Sequence, residues 1–294
     1  MDQWTNYLSL ISAQLVLGLI NGVFYALLSL GLALIFGMLN VINFAHGAVY
    51  MAGAFVAWML LQYFGIPYWL SLVLSPIVVG IAGMIFERVA LRRLYKLDHI
   101  YGWLVTYGLA LMIESLFRNF YGVSGQPYSP PKLLSGGVDL GFLYLPSYRL
   151  YAIAAALVVC AVVWFTVEKT RLGSYLRAGT ENPALTQTFG INVPLLVTLT
   201  YGLGTALAAL AGVLAAPIYQ VSSLMGSQVI ATVFAVVVIG GVGSIIGTVV
   251  TGLAIGVVEG ITKLIYPPAS HVITFVVMAI VLFVKPVGLF GRSK

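Results

Sequence analysis

The chain has 294 residues, of which 61% are hydrophobic and only 7% charged, and its net charge is +6. Soluble domains carry about a quarter charged residues, so this composition excludes a soluble protein and points to repeated membrane crossings. The basic residues are scattered at the ends of apolar runs and form no patch, which argues against nucleic-acid binding, and the single cysteine, Cys160, rules out an internal disulfide.

Taken in chain order, the sequence predicts helical spans separated by short polar breaks. The N-terminus MDQWTNY lacks Lys and Arg and reads as no cleavable signal peptide. The first span, about Leu8 to Met38, is too long for one straight crossing and is expected to tilt or break near Asn21-Gly22 or Gly37. A polar hinge, Asn40 to Gly47, leads into a second span at about Ala48–Phe64. The third covers about Trp69–Leu91, the fourth about Tyr101–Phe120 and the fifth about Leu150–Val167; between the last two lies a Gly-, Pro- and Ser-rich external loop, 121–148. The sixth span is about Pro194–Tyr219. A shorter seventh, about Gln228–Ile239, stops at the glycine-rich break 240–244, and the eighth and ninth cover about Ile245–Ile265 and Val272–Val284. The fold class is therefore all-α, a polytopic membrane protein of eight or nine transmembrane helices in a single domain, 1–294. The count depends on whether 228–244 crosses or re-enters.

Nine crossings that start outside place Arg88, Arg92, Arg93, Lys96, Lys169, Arg171, Arg177, Lys285, Arg292 and Lys294 inside, and Arg118, Lys132, Arg149 and Lys263 outside or near it. Ten against four is the asymmetry that the positive-inside rule requires, with a periplasmic N-terminus and a cytoplasmic C-terminus.

The longest polar interruption of the C-terminal half, 168–193, then becomes cytoplasmic. Its middle carries the signals of a short capped helix: Asn182 as N-cap, Pro183 at the first helical position and Gly190 at a left-handed C-terminal position. Leu185 and Phe189 are four apart and share a face. So short a helix does not hold itself together in water. It is either an ordinary loop or a helix that docks on a partner, with Arg177 and Glu181 as its charged flank.

Asn40, Asn43 and His46 recur at three-residue spacing in an apolar setting, so they face protein or water. They either satisfy backbone groups freed by the break or line a solute path. This break and the one at 240–244 fall in different halves, a pattern that suggests an internal repeat. Small residues recur every four positions at Gly204, Ala208 and Gly212 and again at Thr248, Gly252, Gly256 and Gly260, which suits close helix packing. The intramembrane acids Glu114 and Glu259 each have a base four residues on, Arg118 and Lys263, which could neutralise them, so a structural role is favoured over a proton relay. No nucleotide-binding motif, metal-ligand spacing among His46, His99 and His271, or nucleophile with a base occurs, so neither a catalytic site nor a metal site is expected.

Four segments, LNVINFAHGAVYMAGAF (39–55), RAGTENPALTQTFGIN (177–192), GGVGSIIGT (240–248) and VLFVKPVGLFGR (281–292), resemble the inner-membrane permeases of branched-chain amino acid ABC transporters, the LivH-type subunit more than its longer LivM-type partner. The order of the motifs is that of the family, and the resemblance covers nearly the whole chain. It departs at Ala184, where many relatives carry an acidic residue, and at Thr186, where they carry Ala. The resemblance implies a multi-pass bacterial inner-membrane protein that is not an enzyme. It implies import of leucine, isoleucine or valine, with urea, short amides, other amino acids or aromatic acids as alternatives. A separate reading, an ion-coupled secondary transporter, needs a committed intramembrane carboxylate, and the bases beside Glu114 and Glu259 argue against it. The resemblance implies a second permease subunit of LivM type, two cytoplasmic ATPases that bind the ATP and a periplasmic solute-binding protein. Under it, 177–192 is the loop that engages an ATPase, and this chain itself holds no cofactor.

Overall fold

The computed structural model describes residues 3–39, 42–95 and 97–291, with side chains from Tyr7 onward. Helices dominate: α1 (Gln3–Leu39), α2 (His46–Phe64), α3 (Tyr68–Phe86), α4 (Arg92–Leu94), α5 (His99–Tyr121), α6 (Ser147–Lys169), α7 (Arg171–Glu181), α8 (Pro183–Thr188), α9 (Val193–Tyr219), α10 (Met225–Gly240), α11 (Ile245–Ile265) and α12 (Ile273–Val284). Among the described residues, seven stretches are long and apolar enough to cross a membrane, the third of them running from Tyr68 to Leu94; α10 and α12 are shorter apolar helices. The strands described are a hairpin of β1 (Gly137–Asp139) and β2 (Tyr144–Pro146) inside the 121–148 loop. The chain is an all-helical polytopic membrane protein.

Two groups of termini gather at opposite ends of the bundle. At one end a cavity joins the last residues of α1, the α3–α5 turn, α8 and the start of α9. A second cavity at that end joins α1 and α6 to α7, the 242–246 break and Phe290 of the tail. At the other end, Tyr68 at the start of α3 meets Tyr148 at the start of α6, and Gln126 of the loop pairs with Val221 beyond α9. The ends of the long helices therefore alternate between the two ends of the bundle.

Three expectations change on contact with the structure. The first span is unbroken: Asn21, Gly22 and Gly37 all lie inside α1. Its glycines serve close approach instead, Gly22 against the backbone of Gly252 and Leu253 and Gly37 against Gly243, so the missing side chains admit a neighbouring helix and start no kink. Glu114 does pair with Arg118, but Glu259 does not pair with Lys263. Its carboxylate instead accepts from Tyr25 of α1 and Thr274 of α12, both at 2.9 Å, because it points into the helix bundle while Lys263 lines a cavity. The stretch 168–193 is more than a loop with one short helix, since α7 fills its first half, started by the Thr170 hydroxyl accepting from Leu172 N–H at 3.3 Å.

The small-residue row of α11 packs along α1, its most extensive neighbour. A Cβ on Gly252 would lie 2.6 Å from the Ala26 backbone, and one on Gly256 would fall on the backbone of Gly22. In lipid, such backbone proximity replaces the hydrophobic driving force that packs soluble helices.

Candidate functional site: a docking helix and a paired helix break

The docking segment is built from local rules. Asn182 Oδ1 accepts from Leu185 N–H at 3.0 Å, Pro183 occupies the first position of α8, and Gly190 has φ of 81°. An N-cap of this kind is worth about 1 kcal/mol, too little to hold a six-residue helix alone. Thr186, whose chemistry the sequence reading left unused, supplies the rest. It is buried, and its hydroxyl donates to Ala178 and Asn182 carbonyls, both at 2.8 Å, which fastens α8 across the end of α7. Its four-residue spacing from Asn182 was the available signal.

This fastening leaves Leu185 and Phe189 outside, 53% and 77% exposed. Phe189 stands one residue beyond α8, at its C-cap, and not on the helix itself. Arg177 reaches Glu168 at 3.7 Å and the Val167 carbonyl at 3.4 Å, tying α7 back to α6 through half-exposed contacts, while Glu181 is exposed and closes α7. Of the sequence-derived docking residues, Asn182 and Gly190 set the geometry, and Leu185 and Phe189 present the apolar surface.

Under α8 lies a cavity of about 420 Å³ whose wall includes Glu87, Tyr95, Pro183 and Gln187. Glu87 is fully buried where α3 widens into a π-turn (Glu87–Leu91), and it accepts from Tyr95 at 2.8 Å and from the Thr198 hydroxyl of α9. Burial and the adjacent carboxylate push the Tyr95 hydroxyl above its ordinary range, so it stays a donor. The sequence reading passed over Glu87; an acid at the inner edge of a span, eight residues before a tyrosine, was its trace.

The hinge shows a second kind of order. Asn40 lies outside the described residues. Asn43 and His46 are 1% and 0% exposed and sit inside the bundle. Asn43 Oδ1 accepts from Ala45 N–H at 3.1 Å, and the His46 ring meets the Leu28 carbonyl at 2.9 Å. Both therefore serve backbone groups, while His46 Nδ1 finds no hydrogen-bond partner among the described residues. Because Leu28 is eleven residues from the end of α1, α2 starts about 16 Å back into the bundle.

The counterpart of this hinge is not the 240–244 break but the link before α10. Ser222 Oγ accepts from Leu224 N–H at 3.3 Å, as Asn43 Oδ1 does from Ala45. Met225 N–H reaches the Ser222 carbonyl at 3.3 Å, as His46 N–H reaches that of Asn43 at 3.2 Å. One residue further on, Gly47 and Gly226 touch: a Cβ on Gly47 would lie 2.6 Å from the Gly226 carbonyl oxygen. The preceding helices pack in opposite directions, Phe24 of α1 beside Tyr219 and Gly31 beside Gly204. Thus α1–α2 and α9–α10 form an inverted repeat whose two inner helices begin side by side, the architecture of membrane transporters. The 240–244 break has another role: it turns on Gly241 and Gly243, with φ of 96° and 78°, and receives the tail through Leu289 N–H to Ile239 O (2.8 Å) and Phe290 N–H to Gly240 O (3.1 Å).

Long apolar helices, an inverted repeat of broken helices and a short helix fastened outside the bundle define a polytopic membrane permease. The chain belongs to the family described as branched-chain amino acid transport system / permease component, whose model matches residues 14–282. It is 30% identical to the high-affinity branched-chain amino acid transport system permease protein LivH of Escherichia coli K12, covering 96% of both chains. The permease protein BraD of Pseudomonas aeruginosa is 30% identical with the same coverage. The LivM permease of Salmonella typhimurium is 28% identical over 75% of this chain and 57% of that one.

Proposed function

We propose that this chain is one of two permease subunits of an ATP-driven importer for branched-chain amino acids, with α7–α8 as the element that engages a cytoplasmic ATPase. The observation that carries the reading is the pair Leu185 and Phe189, held outside the bundle by a capped and fastened helix. A water-facing helix with no apolar partner has no reason to be built so firmly. The names of the LivH and BraD relatives support the solute, and similarity to both LivH and LivM supports a pathway made by two related subunits. A periplasmic binding protein delivers the solute at the end that bears the 121–148 loop, and the ATPases act at the end that bears 168–193. Reconstitution with a LivM-type subunit, the ATPases and the binding protein tests this: leucine uptake that requires ATP is the expected result, and its absence with all subunits present rejects the solute.

Orientation has its own test. In a Cys160→Ala background, Ser135→Cys in the external loop is expected to react with a membrane-impermeant maleimide in whole cells. Ser174→Cys on α7 is expected to react only after the inner membrane is opened. Reversed labelling overturns the assignment of sides.

The hinge is read as a neutral support of the solute path: Asn43 and His46 are buried on backbone groups and hold the start of α2 inside the bundle, with selectivity left to the binding protein. Asn43→Ala is expected to lower the leucine uptake rate without changing which amino acids compete, as measured with a panel of unlabelled competitors. A changed competition profile at an unchanged rate would make the hinge a selectivity site.

A further inference from the structure

At the end opposite α8, the starts of α6 and the ends of α9 and α11 close around α1 to leave a cavity of about 310 Å³. Its wall includes Gln14, Leu17 and Asn21 of α1, Arg149 of α6, Tyr219 of α9 and Lys263 of α11. Both cations are partly buried, and neither forms an ion pair among the described residues. Arg118, at the same end, is matched by Glu114. The nearest acid in sequence, Glu259, has its two oxygens taken by the Tyr25 and Thr274 hydroxyls. Counted with that acid, the corner still carries one net positive charge. Two cations from different helices that share one cavity without an acid between them make it a place that an anion stabilises.

The polar groups around them suit a carboxylate. An Arg guanidinium offers a planar fork and a Lys ammonium a point charge. Tyr219 donates its hydroxyl to Asn21 Oδ1, which orients the Asn21 amide, and Leu17 supplies an apolar wall. The position also fits a route. Asn21 is seven residues along α1 from Leu28, whose carbonyl holds His46, so the floor of the cavity stands about 10 Å from the start of α2. Tyr219 immediately precedes the link to α10, the other inner helix of the repeat.

We infer that Arg149 and Lys263 form an anion site that takes the carboxylate of the incoming solute at the mouth of the permease. This rests on the importer reading given under Proposed function. It adds the residues that first meet the solute after its release, at the end away from the ATPase-docking helix. The same chemistry would hold the phosphate of an anionic lipid, so the test separates the two sources.

The complete importer is placed in nanodiscs of phosphatidylcholine, and its thermal unfolding is followed with added isovalerate, with isovaleramide as the uncharged isostere. Isovalerate is expected to raise the unfolding temperature, isovaleramide to leave it unchanged, and R149Q/K263Q to weaken the isovalerate response at least tenfold. R149K/K263R is expected to retain it. If the double variant does not assemble, R149Q and K263Q singly are each expected to weaken the response. An isovalerate response equal in wild type and the Gln variants, an equal response to the amide, or no response at all overturns the site. So does stabilisation by phosphatidylglycerol that depends on both cations in the absence of an isovalerate effect, which would assign the cavity to a lipid. Leucine uptake by the same wild-type importer reconstituted in proteoliposomes separates the two levels: uptake without isovalerate binding sinks the anion site alone, and no uptake sinks the importer reading.

Discussion

Replacing Leu185 and Phe189 together by aspartate is expected to leave the permease folded and inserted while abolishing ATP-driven uptake. Both side chains stand largely free of this chain, so their loss removes no packing within it. If they fill a groove on an ATPase, each is an anchor of the kind that dominates an interface, and two buried charges in their place cost well over 2 kcal/mol. That corresponds to a loss of affinity on the order of 30-fold or more. The checks are the yield of monodisperse permease, co-purification of the ATPase subunits and leucine uptake in proteoliposomes. Normal uptake with bound ATPase would mean that α8 does not couple the subunits. Normal insertion distinguishes this outcome from simple misfolding, which is why the exposed pair is a sharper probe than Gly190, whose φ of 81° makes any branched replacement strain the backbone directly.

Gly256→Leu is expected to have the opposite profile, a loss of the folded protein itself. The new Cβ would fall on the Cα and N of Gly22, and backbone atoms of α1 cannot turn aside as a side chain would. Overpacking of a close-packed interface costs about 1–3 kcal/mol where neighbours yield, and here α1 and α11 must separate along the length of their contact. Gly108→Leu on α5 is the control, since a Cβ there meets nothing within 4 Å. Size-exclusion profiles of the detergent-extracted variants are expected to show aggregate or no protein for Gly256→Leu and a wild-type peak for Gly108→Leu. Equal peaks for the two would remove the argument that glycine spacing sets the α1–α11 packing.

Some of this protein was legible in the chain alone because the causes are local. An apolar run of some 20 residues in lipid satisfies its backbone only as a helix, so composition fixes the fold class and approximate spans. The cap at Asn182, the first-position proline and the left-handed Gly190 act over a few residues, and the structure holds all three as the sequence spells them. Where a partner lies far along the chain, spacing misled. The four-residue rule joined Glu259 to Lys263, yet α1 and α12 bring Tyr25 and Thr274 to that carboxylate, because a helix neighbour only competes with whatever the bundle packs against the other side. The Asn21-Gly22 pair and Gly37 of the first span read as breaks, whereas α9, α11 and the 240–244 turn use them for contact.

The inverted repeat was hidden for a related reason. INFAHG and VSSLMG share only their final glycine, while what they have in common is a pattern of backbone hydrogen bonds that several side chains can support. The sharing of one cavity by Arg149 and Lys263 is likewise a property of three helix ends packed around α1 and of neither residue's surroundings in sequence. Sequence alone thus determined the fold class, the approximate course of the long helices and the cap signals of α8, since solvent and short-range hydrogen bonding decide those. Which faces touch, which acid finds which donor and where two cations converge was decided by the tertiary structure, because only close packing in three dimensions chooses among the many partners a helix surface can accept.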